Sequence, residues 1–115
     1  MLAKYRKNAK IRAQGEEANA VFYVQSGEVK FAVVSDQGRE AVVAIVTKDQ
    51  FFGEDCLAGR TKCIATATAS ADSVILRILR DTFLRSIKAN PAFSQLFVEH
   101  LLACALRVEA DLVDQ

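Results

Sequence analysis

A chain of 115 residues, half of them hydrophobic, with 15 Lys and Arg against 14 Asp and Glu, is long enough to bury one apolar core without disulfides or a structural metal. Its formal net charge of +1 excludes a global field that would draw it to nucleic acid, so any anion-binding surface must be local. No stretch approaches the roughly 18 apolar residues of a membrane span, and the N-terminal basic residues are not followed by an apolar core and cleavage site. A cytoplasmic protein with no membrane partner is the expectation.

Met1 to Arg12 carries Lys4, Arg6, Lys7, Lys10 and Arg12 and no acid. This reads as the solvated face of a strand or loop, with an anion-binding patch as the alternative. From Ala20 to Ile78 the apolar residues fall in short runs rich in Val, Ile, Phe and Tyr, broken at Ser26-Gly27, Asp36-Gln37-Gly38 and Gly53, which is strand and turn punctuation. Strands are predicted over Val21 to Gln25, Glu28 to Val34 and Arg39 to Val46, with Val29, Phe31 and Val33 on one face. Ser35 to Gly38 forms a four-residue hairpin loop. Ile64 to Ala69 and Ser73 to Leu79 supply two more strands, the first alternating Ala with Ile or Thr so that methyl groups line one face and hydroxyls the other.

The character changes at Asp81, a candidate N-cap, after which Phe83, Leu84 and Ile87 fall at helical spacing up to Asn90-Pro91. Pro91 suits the first turn of a second helix, which runs to Gln115 without another Gly or Pro. Phe93, Leu96, Phe97, Leu101, Cys104, Val108 and Leu112 define one stripe along it, broadened by Leu102, Ala105, Leu106 and Val113. A small β domain offers too little surface to cover so wide an arc, so pairing with a second copy is the economical reading, and a core helix lying wholly on its own sheet is the alternative.

The segment from Phe51 to Thr66 leaves one apolar run and re-enters another through a polar turn. Gly53 lets backbone N–H groups approach an anion, a short helix at Glu54 to Ala58 adds donors, and Arg60 or Lys62 is placed to neutralise charge; an ordinary strand connection is the alternative. Cys56, Cys63 and Cys104 lack C-x-x-C spacing, and one His100 does not complete a metal set with them, so reduced thiols and no metal site are expected. A cysteine-based redox sensor is an alternative function, with Cys63 beside Lys62 expected to have a lowered pKa. No Ser-His-Asp set, P-loop or pair of His points to catalysis, and adjacent Glu54 and Asp55 do not make an acid–base pair.

Gly15 after Gln14, Phe22-Tyr23-Val24, Ser26-Gly27-Glu28-Val29 and Phe51-Phe52-Gly53-Glu54 followed by Ala65-Thr66 together resemble the cyclic-nucleotide-binding domain, most closely that of Crp/Fnr-type bacterial transcription regulators. The resemblance implies a mainly β fold, an eight-stranded jelly-roll-like β-roll (a double-stranded β-helix) over residues 1–79. A short helix and a long C-terminal helix follow over residues 80–115. It implies a phosphate cassette with candidate ligand-binding residues Gly53, Glu54, Asp55, Cys56, Leu57, Lys62, Cys63 and Ile64, in which Gly53 presents its N–H and Glu54 accepts from a ribose 2′-hydroxyl. The family's phosphate-binding Arg and the small residue after it fall on Cys63 and Ile64, so the cassette is degenerate at that end. The implied ligand is a cyclic nucleotide, cyclic AMP or cyclic GMP, or another small effector; no further cofactor is expected.

The resemblance also implies a homodimer through the C-terminal helix, with Phe97, Leu101, Cys104, Val108 and Leu112 at its face, and DNA reading only through a helix-turn-helix domain absent from this chain. An end at Gln115 inside a continuous helix points to a sensory fragment of a longer regulator, with a free-standing protein-interaction module as the alternative.

Overall fold

The computed structural model describes residues 1–113 and divides into two compact units, one spanning Met1–Arg80 and a helical one beginning at Asp81. The first unit holds eight strands: β1 (Leu2–Tyr5), β2 (Lys10–Arg12), β3 (Ala20–Ser26), β4 (Glu28–Val34), β5 (Glu40–Thr47), β6 (Phe51–Phe52), β7 (Thr66–Ala69) and β8 (Ser73–Leu79). They form two antiparallel four-stranded sheets, ordered β1-β8-β3-β6 and β2-β7-β4-β5. This is a mainly β, jelly-roll-like β-roll, as the sequence implied.

Alternation supplies the core. Ala20, Phe22 and Val24 of β3 and Val29 and Phe31 of β4 point inward with Ala67 of β7 and Ile75 of β8, because successive side chains of a strand alternate between faces. The small Ala67 opposite Phe31 leaves room for that ring between the sheets. In β7 the alanines are buried and Thr66 and Thr68 half-buried, the methyl and hydroxyl faces expected. In β4 the register shifts between Phe31 and Ala32, so both are buried where strict alternation predicted Ala32 outside; a bulge breaks the period of two. The strand pairing with β4, β5, is the edge of its sheet, and its apolar Val42, Val43 and Ile45 are exposed.

Two elements differ from their predicted extents. The basic N-terminal segment forms two paired strands, β1 along β8 and β2 along β7, where an unspecified strand or loop was expected. The predicted strand from Ile64 begins at Thr66, because the preceding backbone bonds elsewhere: the Cys63 N–H donates to the Glu16 carbonyl and the Gly15 N–H to that of Cys63, each at 2.8 Å.

The hairpin loop closes through the Gly38 N–H on the Ser35 carbonyl and the Ser35 N–H on that of Arg39, each 2.9 Å. Gly27, at φ +98°, turns β3 into β4 where an added Cβ would collide with Ser73 Oγ.

Helix α1 runs Arg80–Ala89 and α2 Pro91–Val113. Asp81 lies inside the first turn of α1 rather than at its N-cap, since the helix starts one residue earlier. Asn90 caps α2: its Oδ1 accepts from the Phe93 N–H at 3.2 Å, and Pro91 takes the first helical position, where its missing N–H costs nothing. In the helical unit Phe83 meets the edges of Phe93 and Phe97 at 5.2 and 4.8 Å between ring centres. The expected last residues of α2, Asp114 and Gln115, and the side chain of Val113 lie outside the described residues.

Candidate functional site

Strand β6 sets the position of the candidate cassette. Phe52 stacks flat on Phe22 at 4.7 Å and 4° between planes, and its edge meets Phe31 at 5.1 Å. Those contacts press the next residue against β3. Gly53 is buried at φ +83°, and a Cβ there would sit 2.8 Å from the Ala20 carbonyl oxygen and 3.2 Å from Arg12 Nη1. Only glycine meets both conditions, the left-handed backbone and the absence of space.

The chain then makes a 3-10 turn, Glu54–Ala58, closed by Gly59, also left-handed at φ +95°. Cys56 is buried, and its carbonyl accepts from Arg80 Nε at 3.1 Å. Arg60 turns back onto Asp55, Nε to Oδ2 3.1 Å, so this cation is already engaged within the loop. Asp55, Lys62 and Ile64 share an open groove of about 540 Å³ with Ala58, Gly59, Arg60 and Thr61.

Alternation about residue 63 separates the far end of the cassette into two faces. Lys62 and Ile64 are exposed, Ile64 at 57 %, while Cys63 is buried at 2 % with its thiol 4.0 Å from the Glu17 carbonyl. The groove therefore gathers Asp55, Lys62 and Ile64. Cys56 and Cys63 stand behind it in the core, and Glu54 and Leu57 are half-buried. Burial, with a smaller push from Asp55, raises the Glu54 carboxyl above its ordinary value against the pull of a backbone hydrogen bond and of Arg12.

The expected lowering of the Cys63 thiol is corrected by this geometry. Desolvation raises its pKa, Arg12 only partly offsetting it, because the thiol points inward while Lys62 points to solvent. Cys56 is likewise raised, chiefly by burial. Cys104 lies on α2 with its sulfur 3.7 Å from His100 Nε2. Burial, with Arg107, lowers the His100 pKa. No group of three or more His, Cys, Asp or Glu side chains is gathered for a metal among the described residues. No described helix is long and apolar enough to cross a membrane.

Of the residues expected on a dimer face, Leu101, Val108 and Leu112 are exposed and Cys104 is half-buried. Phe97, also expected there, is 6 % exposed and packs on Phe83 of the same chain, since an aromatic one turn from Phe93 closes the helical hairpin.

The residue that sequence reading left among solvated cations is Arg12. It is half-buried, and its guanidinium carbon lies 5.5 Å from the centre of the Phe22 ring and 5.8 Å from that of Phe52. No local signal sets it apart in the sequence: it lies between Ile11 and Ala13, but Lys10 lies likewise between Ala9 and Ile11.

The profile of the Cyclic nucleotide-binding domain family matches residues 2–90, which takes in all eight strands and the cassette. The chain belongs to that family. It is 32 % identical over 108 residues to the Cyclic AMP receptor protein of Thermus thermophilus, covering 94 % of this chain and 49 % of that one. It is 30 % identical over 91 residues to the cAMP-activated global transcriptional regulator CRP of Haemophilus influenzae, covering 78 % and 41 %. The crystal structure of the Thermus thermophilus Catabolite Activator Protein superposes with a TM-score of 0.78 at 28 % identity, over 99 % of this chain and 55 % of that one. The chain thus spans about half the length of the curated relatives it matches, and its fold and motifs are those of the effector-sensing domain of CRP-type regulators.

Proposed function

We propose that this family member senses a small anionic effector of the cyclic-nucleotide class for a CRP-type transcription regulator, through a cassette altered at its phosphate end. The observation that carries the reading is the approach at Gly53. Its backbone runs bare of side chain against β3, next to the half-buried Glu54, and such a glycine–acid step suits backbone N–H groups and a carboxylate to a ligand's phosphate and sugar. Both curated relatives are named for cyclic AMP, which supports the ligand class. At the phosphate end Cys63 is inward and Ile64 is apolar and outward. A missing charge-assisted contact costs about 1.5–3 kcal/mol, so cyclic AMP binds roughly tenfold to a hundredfold more weakly than to a relative with Arg in that place. Isothermal titration with cyclic AMP and cyclic GMP, alongside the Thermus thermophilus receptor, tests both parts. Saturable but weaker binding is expected; equal affinity for cyclic AMP overturns the altered cassette, and no response to either nucleotide overturns the ligand class.

The same proposal assigns α2 to pairing with a second copy. What supports it is the exposure of Leu101, Leu102, Leu106, Val108 and Leu112, each 42 to 66 % open, on a helix with only one buried residue among those whose burial is described, Phe97. Exposed leucines at this density mark an association surface. DNA recognition would belong to a separate domain of the whole regulator.

A further inference from the structure

We propose that Arg12, from strand β2, supplies the guanidinium that meets the effector's anionic group, in place of the arginine that the family carries where this chain has Cys63. The inference rests on the reading of the cassette as an effector site and names the residue that makes it work for an anion.

The cations of the cassette segment itself, and Arg80 behind it, are placed elsewhere. Arg60 is held by Asp55 at 3.1 Å, Arg80 donates to the Cys56 carbonyl, and Lys62 projects from the exposed side of residue 63. Arg12 lies against the inner side. Nη1 is 3.2 Å from the point where a Cβ on Gly53 would stand, so the guanidinium reaches the residue that opens the cassette. Its charge acts on Glu54, Cys56 and Cys63 together, three cassette positions around one cation.

The side chain is also held for the task. Phe22 and Phe52, stacked on each other, both lie within 6 Å of its guanidinium carbon, and a guanidinium over an aromatic face is attracted by the ring quadrupole. Nε is buried and has no hydrogen-bond partner among the described residues. A charged donor kept from water without an acceptor is costly, and an anionic group of the effector reaching the guanidinium would relieve that cost. A guanidinium arriving from β2 instead of from the cassette itself meets the anion from a different direction. An effector shifted in shape from cyclic AMP is the consequence.

Isothermal titration of the whole chain with cyclic AMP and cyclic GMP, for the wild type, Arg12→Lys and Arg12→Ala, decides the matter, with circular dichroism melts confirming that each variant is folded. Arg12→Lys keeps the charge and the stem and loses the fork, so about a tenfold loss is expected, and a larger one for Arg12→Ala. Unchanged affinity in folded Arg12→Lys and Arg12→Ala overturns the inference and leaves the cassette reading standing. If the wild type binds neither nucleotide, the cassette reading falls, and inorganic phosphate becomes the probe. A thermal shift in the wild type that is lost in Arg12→Lys upholds Arg12 as an anion site; an equal shift in both, or none in either, overturns it.

Discussion

Gly53 carries two constraints at once, a positive φ and a carbonyl oxygen 2.8 Å from where a side chain would begin. Gly53→Ala is therefore expected to destabilise the fold by about 2 kcal/mol or more, read from urea unfolding; a loss under about 0.5 kcal/mol would mean that β3 and β6 separate easily here. The sequence made Gly53 legible, through a glycine between an aromatic pair and an acid. It misjudged the Cys63 thiol, because charge proximity along the chain was taken for proximity in space. Raised thiol pKa values at Cys56 and Cys63 leave little thiolate at neutral pH, and the thiolate is the reacting species. Both should stay unmodified by iodoacetamide at pH 8 while the protein is folded and react on unfolding in urea, followed by peptide mass spectrometry. Prompt labelling of native Cys63 would revive a redox role.

At the scale of elements, periodicity located β3, β4, β5 and β8 to within a residue or so. It overlooked the pairing of β1 and β2, whose alternation is hidden by lysines and arginines that run along solvent on short strands. The bulge at Phe31-Ala32 and the late start of β7 were equally invisible, since each is decided by which distant backbone groups pair. Helix α2 was placed by Asn90-Pro91 and by an unbroken run of helix formers. Within its stripe, the sequence could not divide Phe97, which is used inside the chain, from Leu101, Val108 and Leu112, which are exposed. Val108→Glu tests the pairing of α2: at 61 % exposure it should leave folding stability within about 0.5 kcal/mol in the monomer. Light scattering at tens of micromolar is expected to give a dimer for the wild type and a monomer for the variant. A monomeric wild type would remove the dimer proposal.

The β-roll closes on a small aromatic group, Phe22, Phe31 and Phe52, contributed by both sheets. Phe52→Ala should cost about 3–5 kcal/mol, comparable with the whole stability of a small domain. It would also release Gly53 from β3 and take from Arg12 one of the two rings beneath it. Loss of cooperative unfolding, followed by circular dichroism, is the expected result. A variant that unfolds cooperatively with little change would place the core's weight elsewhere.

Composition, the alternation of the strands and the spaced motifs from Gln14-Gly15 to Ala65-Thr66 were sufficient by themselves to determine the family and the mainly β fold. These are properties of order and period, which a linear chain carries. Only the tertiary structure decided that Cys63 faces inward and Ile64 outward, and that Arg12 leaves its solvated run to lie on Phe22 and Phe52 beside Gly53. Residues 12 and 53 are brought together by the packing of two sheets, and no pattern along the chain encodes a distance between them.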